Sequence, residues 1–128
     1  MESKKKILYW LPAISYMALI FVISSYPVKA PVLEKLSDKL IHVVEYAVLV
    51  YLIAFALYKT TDKPRFKIEA IAIIITILYG ISDEMHQYFV PERVFDVLDA
   101  AADTIGALSI FFLRFSKRIW KSKKTSNK

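Results

Sequence analysis

ILYGISDEMHQYFVPERVFDVLDAAADTIG, Ile77 to Gly106, begins as membrane-grade apolar sequence and then packs in Asp83, Glu84, His86, Arg93, Asp96, Asp99 and Asp103 before turning apolar again. Its periodicity reads as the end of one helix, a short polar turn holding Pro91 and Arg93, and the start of another helix. A bare loop would need none of this ionisable chemistry. The rest of the chain decides whether these groups have partners.

The sequence has 128 residues, enough for one domain. Hydrophobic residues make up 56%, mean hydropathy is +0.41 and Gly occurs only twice, which fits a helical membrane protein better than a soluble domain. Cys is absent, so there is no disulfide framework and no thiolate chemistry.

Four hydrophobic runs are present. Ile7 to Ser25 carries no charge, and Leu40 to Tyr58 is broken only by His42 and Glu45. Ile68 to Leu78 is apolar apart from Glu69 and Thr76 and is expected to continue as helix to about Tyr88; Val97 to Leu113 carries Asp99 and Asp103 in its first half. A span needs about 20 residues at the helical rise, so the first two runs qualify outright and the others qualify with their polar ends at an interface. A cleaved signal peptide is the rival reading of the first run, behind Lys4, Lys5 and Lys6. Its apolar core exceeds the usual length of about 7–15 residues, so it is expected to stay as a span. The expected fold class is therefore all-α, a four-helix transmembrane bundle over residues 1–116 followed by a basic cytoplasmic tail over 117–128.

The net charge of +6 reports orientation. Lys4, Lys5 and Lys6 flank the first run; Lys59, Lys63, Arg65 and Lys67 fill the second connection; Arg114, Lys117, Arg118, Lys121, Lys123, Lys124 and Lys128 follow the last run. Together these are 14 of the 18 basic residues, which puts both termini in the cytoplasm and the connections Tyr26–Lys39 and Phe89–Asp96 outside. A nucleic-acid partner is thereby not expected. Nine of the twelve acidic residues, among them Asp38, Glu45, Asp83, Glu84, Asp99 and Asp103, gather at the outer ends. Acidic residues contribute little to orientation, so another cause must hold them there.

Three polar stripes explain the clustering. Asp38, His42 and Glu45 follow i, i+4, i+7 spacing, with Tyr46 next on that face. Tyr79, Asp83, His86 and Gln87 share one face of the following helix, while Glu84 points about 100° away from Asp83 and reads as a more solvated group. Asp96, Asp99 and Asp103 repeat at i, i+3, i+7, with Gly106 continuing the line, and Ala100, Ala101 and Ala102 would let a neighbouring helix approach. Ionisable groups within membrane spans are functional candidates, because they are costly unless paired or facing water. Arg93 is the natural partner for the carboxylates or for an incoming phosphate, since a guanidinium binds either in a bidentate manner. Ser24 and Ser25, at the end of the first run, either bond their own helix carbonyls or contact a ligand.

The expected ligand-binding set is Asp38, His42, Glu45, Asp83, Glu84, His86, Gln87, Arg93, Asp99 and Asp103, and the partner is an anionic lipid or a lipid-linked precursor head group. Two imidazoles and several carboxylates resemble a metal-ligand inventory, but no compact H-E-x-x-H motif is present and the ligands would come from three helices. No metal and no cofactor are therefore expected. An enzyme is the rival class: His86 or Asp83 acting as acid or base on a lipid phosphate or glycolipid, although no nucleophile signature supports it. A third reading is structural, with the charged groups locking the helices of an accessory subunit that works with a protein partner.

Three pieces of the sequence, FVISSYP (Phe21–Pro27), DKLIHVVEYAVL (Asp38–Leu49) and YGISDEMHQYFVPERVFDVLDAAADTIG (Tyr79–Gly106), resemble the VanZ-like family of small bacterial membrane proteins. That family is named for an accessory glycopeptide-resistance protein linked to teicoplanin. The D-E-x-H-Q-x-F-x-P-x-R run is specific in combination. The family pattern carries over to Asp38, Lys39, His42 and Tyr46, and to Asp83, Glu84, His86, Gln87, Pro91, Arg93, Asp99 and Gly106. Asp103 departs from it, standing where the family more often has Asn and adding a negative charge. The resemblance implies a multi-pass protein of the bacterial cell membrane with its polar site facing outside and a link to resistance; it supplies no reaction.

Overall fold

The computed structural model describes the backbone of residues 2–26 and 32–126 and the side chains of residues 6–26 and 38–112. Among the described residues the secondary structure is helical throughout: α1 (Glu2–Ser24), α2 (Val32–Thr60), α3 (Arg65–Tyr88) and α4 (Val97–Ser126). Helices consecutive in the sequence run antiparallel, and α2 packs against the other three, most extensively against α4.

The helix ends follow from local chemistry. The Thr60 and Thr61 hydroxyls donate to the carbonyls of Ala56 and Leu57, closing α2. Pro64 precedes α3 with φ −55°, where its missing N–H costs nothing. Beyond Tyr88 the chain turns through Val90–Pro91–Glu92–Arg93, with the Arg93 N–H donating to the Val90 carbonyl at 3.1 Å. Glu92 has φ 67°. Proline at the second position with a positive φ at the third is the arrangement of a type II turn, which stiffens the segment presenting Arg93. Asp96 then caps α4, its Oδ1 accepting the Leu98 N–H at 2.8 Å.

The expected turn from Phe89 to Asp96 is found in place. The connection expected over Tyr26–Lys39 is shorter than that: α2 begins at Val32, so residues from there to Lys39 are helical. The added residues, VLEKLSDK, are mostly good helix formers, and hydropathy alone hid that. The last helix likewise runs on to Ser126, through the segment read as a tail, whose side chains lie outside the described residues.

The core is built from Tyr46, Leu49, Val50 and Ile53 of α2 with Ala13 and Ile20 of α1, Ile68, Ala72 and Ile73 of α3, and Ala107 and Ile110 of α4. The close approach of α4 to α2 falls at Gly106. A Cβ there would meet the Val43 carbonyl oxygen at 2.4 Å and the Ala47 nitrogen at 3.0 Å. Of the three alanines expected to allow close packing, only Ala102 is buried, and Ala101 faces outward.

The molecule buries polar groups and exposes apolar ones. Thr76, Asp83, Glu84, Gln87, Asp99 and Asp103 are buried, while Leu8, Leu11, Leu40, Val44, Ile74, Leu78, Leu98 and Ile105 are exposed. Two segments, Lys6–Ser24 and Asp38–Thr60, are long and apolar enough to cross a membrane.

Candidate functional site

The end of α1, the start of α2, the end of α3 and the start of α4 meet at one end of the bundle. Their polar side chains form three connected groups, each joining residues far apart in sequence.

The first joins α1 to α3 and to the turn. The Ser24 hydroxyl donates to Asp83 Oδ1 at 2.6 Å, with the Phe21 carbonyl at 3.1 Å as the alternative acceptor. Asp83 Oδ2 accepts from Gln87 Nε2 at 3.1 Å, and Gln87 Oε1 accepts from Arg93 Nη1 at 3.0 Å. Arg93 also donates to the Tyr26 carbonyl from Nη2 (3.0 Å) and Nε (3.3 Å). These contacts use three of the five guanidinium N–H groups. Arg93 thus ties the turn to α3 through the Gln87 amide and to the end of α1 through the Tyr26 carbonyl, where the sequence suggested a carboxylate partner. The Ser24–Asp83 bond is charge-assisted, and Asp83 and Gln87 are both buried.

The second group joins α2 to α4. Lys39 Nζ donates to Asp96 Oδ2 at 2.7 Å and to Asp99 Oδ1. The lysine sits beside the Asp38–His42–Glu45 stripe, and the sequence reading left it in a connection. Its ammonium is the cation that holds Asp96 and Asp99 together on the first turn of α4.

The third is the deepest. His42 Nδ1 lies 2.8 Å from Asp103 Oδ1, and its Nε2 faces Asp99 Oδ1 at 4.0 Å. Here His42 pairs across to α4. Glu84 is buried too, its Oε2 accepting the Asp96 N–H at 3.2 Å. The expectation that Glu84 is a solvated group fails because α4 starts against that side of α3.

His86 goes elsewhere. Its ring stacks on Phe21 with centroids 4.3 Å apart, and Nε2 lies 3.0 Å from the Ser25 hydroxyl, which also donates to the Phe21 carbonyl at 2.7 Å. Both serines therefore make local and cross-helix contacts. The contacts to Asp83 and His86 were not visible in sequence, because periodicity gives a face of α1 without saying which helix it meets.

A cavity of about 240 Å³ opens among Ile20, Ile23 and Ser24 of α1, Asp38, Ile41, His42 and Glu45 of α2, Asp83 and Gln87 of α3, and Arg93. Its wall is aliphatic on one side and ionisable on the other. Of the sequence-predicted set, six residues line it, while Glu84, Asp99 and Asp103 lie behind His42 and His86 lies on the α1 side. Three carboxylates face one guanidinium, one imidazole, one amide and one hydroxyl.

No curated protein and no solved structure matches the chain. A protein-family model described as VanZ/LLP1 matches residues 9–121, which include most of every helix and all three polar groups. By that match, the chain belongs to the VanZ/LLP1 family.

Proposed function

We propose that this is a multi-pass protein of the bacterial cell membrane whose polar cavity faces outward and binds the head group of a lipid or lipid-linked envelope precursor. The inverted distribution of side chains supports the membrane placement. Leucine, isoleucine and valine face outward on all four helices while carboxylates, an amide and an imidazole face inward. A helix bundle in water gains by the opposite arrangement, and one in lipid is stable this way round. The Lys/Arg distribution supports an outward-facing site. Ser24 and Ser25 complete polar pairs with α3, which supports α1 as a retained span.

The cavity carries the head-group reading. At about 240 Å³ it is smaller than pockets that enclose drug-sized ligands, roughly 300–1,000 Å³, so it suits a head group and leaves the chains outside. Ile20, Ile23 and Ile41 form an apolar wall continuous with the exposed face of the bundle, where an acyl or isoprenoid chain would lie. Arg93 has two N–H groups beyond those bonded to Gln87 and Tyr26, enough for two phosphate oxygens. Asp38, Glu45 and Asp83 would repel a bare anion. The preferred head group therefore joins its phosphate to hydroxyl or amine donors that these carboxylates accept.

Binding is tested by native mass spectrometry of the purified chain with phosphatidylglycerol, phosphatidylethanolamine and undecaprenyl phosphate. At least one should bind, and Arg93→Lys should weaken it about tenfold, the loss of one charge-assisted contact. Equal binding by the variant, or none of the three bound, contradicts the reading. Through the family, the cellular readout is susceptibility to a glycopeptide such as teicoplanin.

The Ser25–His86 contact favours a second reading, a lipid-phosphate or glycolipid hydrolase. Asp83 bonds to Ser24 and Gln87, so it does not orient His86 as a base. Release of inorganic phosphate or sugar from these lipids by the purified protein, abolished in Ser25→Ala, would establish it.

A further inference from the structure

Behind the cavity, between α2, α3 and α4, three buried side chains converge. His42, Glu84 and Asp103 each present a ligand atom within 4.8 Å of the others. They are 7%, 0% and 1% exposed. Two of their oxygens, Glu84 Oε1 and Asp103 Oδ2, are buried without a hydrogen-bond partner, as is the Tyr46 hydroxyl.

The other buried carboxylates in the neighbourhood have donors. Lys39 meets Asp99, and Ser24 and Gln87 meet the two oxygens of Asp83. At the far end of the bundle the buried Glu69 is met by Arg65 and by the Tyr58 hydroxyl. For Glu84 and Asp103 the described residues supply one backbone N–H and one imidazole between them, and neither reaches Glu84 Oε1 or Asp103 Oδ2. Two carboxylates in a protein interior with an orphaned oxygen each are an unstable arrangement unless something positive lies between them.

We propose that His42, Glu84 and Asp103 form a binding site for a divalent transition-metal ion of the zinc or manganese type. Two ligands of such an ion, each about 2.1 Å from it, stand roughly 3–3.4 Å apart, so the His42 Nδ1–Asp103 Oδ1 pair, in hydrogen-bond contact at 2.8 Å, would open by a few tenths of an ångström to admit it. One imidazole with two carboxylates is the donor set of these ions, whereas calcium and magnesium take all-oxygen sites. One outer partner is in place as well. The Asp96 N–H holds Glu84 by Oε2, leaving Oε1 to coordinate. Gly80 keeps the space beside Asp103 open, since a Cβ there would come within 3.1 Å of Oδ2. Three protein ligands leave at least one coordination position, and of the three His42 also lines the cavity. The site stands whether or not a head group binds.

The test uses the full chain, purified in detergent with a tag that contains no histidine and stripped with EDTA. Zn²⁺ and Mn²⁺ are titrated in separately by calorimetry, with Mg²⁺ as control. One equivalent of Zn²⁺ or Mn²⁺ should bind and Mg²⁺ should not compete. Glu84→Gln and Asp103→Asn, both near-isosteric, should each weaken binding at least about tenfold, the scale of loss when even an outer partner of a metal ligand is removed. The metal should raise the thermal midpoint of the wild type and not of the variants. The absence of a one-to-one event in the wild type overturns the proposal, whatever the variants do. Undiminished binding in both variants overturns it too, as it would place the ion elsewhere.

Discussion

His42 on α2 and Asp103 on α4, 61 positions apart, are joined at 2.8 Å in the buried centre of the bundle. That contact fixes the rotation of α4 about its own axis, because Asp99 and Asp96 lie on the same stripe and come into line for Lys39 and the α4 cap. The polar end of the molecule is therefore a consequence of how two helices pack, and substitutions at their contact should be felt in the site.

Gly106 is where that packing is tightest. A Cβ at 106 meets backbone atoms of α2, which cannot move aside, whereas one at Gly80 meets the Tyr46 ring and the Asp103 side chain at 3.0–3.1 Å. Gly106→Ala should destabilise by about 1–3 kcal/mol through overpacking. Gly80→Ala should cost less, since side chains yield and alanine gains up to about 1 kcal/mol of helix propensity. Thermal unfolding in detergent ranks the two. A larger loss for Gly80→Ala would contradict the described contact of α2 and α4.

Lys39 should be worth more than a surface lysine. Its ammonium is shared by Asp96 and by the nearly buried Asp99. Lys39→Ala should cost about 1.5–3 kcal/mol, the range for hydrogen bonds to charged groups. Asp99→Asn should recover part of that loss in the double variant, because the carboxylate left without its cation has been removed. A double-mutant cycle reads the coupling, expected at about 0.5–3 kcal/mol. Additive losses would show that the pair does not act as one.

The turn presenting Arg93 carries backbone strain at one position. Glu92 has φ 67°, a region that favours glycine. Glu92→Gly should therefore hold or raise stability, by up to about 1 kcal/mol, even though glycine adds freedom to the unfolded chain. A fall of more than about 1 kcal/mol in the unfolding free energy would mean that the Glu92 side chain outweighs the strain.

Much of this end of the molecule is legible in the sequence. The stripe Asp38–His42–Glu45 and the stripe Asp96–Asp99–Asp103 are each a helical face, and spacing alone places them. The turn at Pro91 is equally plain. The pairing between stripes is not, because a helical wheel says which residues share a face and nothing about the facing helix. Thus Lys39 reads as a loop residue until α2 is seen to begin at Val32, and Glu84 reads as solvated until α4 is seen to start against it. Arg93 and His86 illustrate a second difficulty: a long cation can choose a carbonyl over a carboxylate, and an imidazole on the expected face can turn to a serine of a different helix. The third and fourth helices form as expected, yet their apolar stretches are interrupted by acids, so hydropathy marks only α1 and α2.

The side of the membrane on which this polar end lies is the claim that most of the functional reading rests on, and the absence of native cysteine makes it directly measurable. Single-cysteine variants at Val94, which is 79% exposed in the turn between α3 and α4, and at the exposed Lys63, between α2 and α3, are treated in intact cells with a membrane-impermeant maleimide. Val94→Cys should label in intact cells, and Lys63→Cys only after the membrane is permeabilised. Labelling of Lys63→Cys from outside, with Val94→Cys protected, would place the cavity in the cytoplasm and contradict an envelope-facing head-group site.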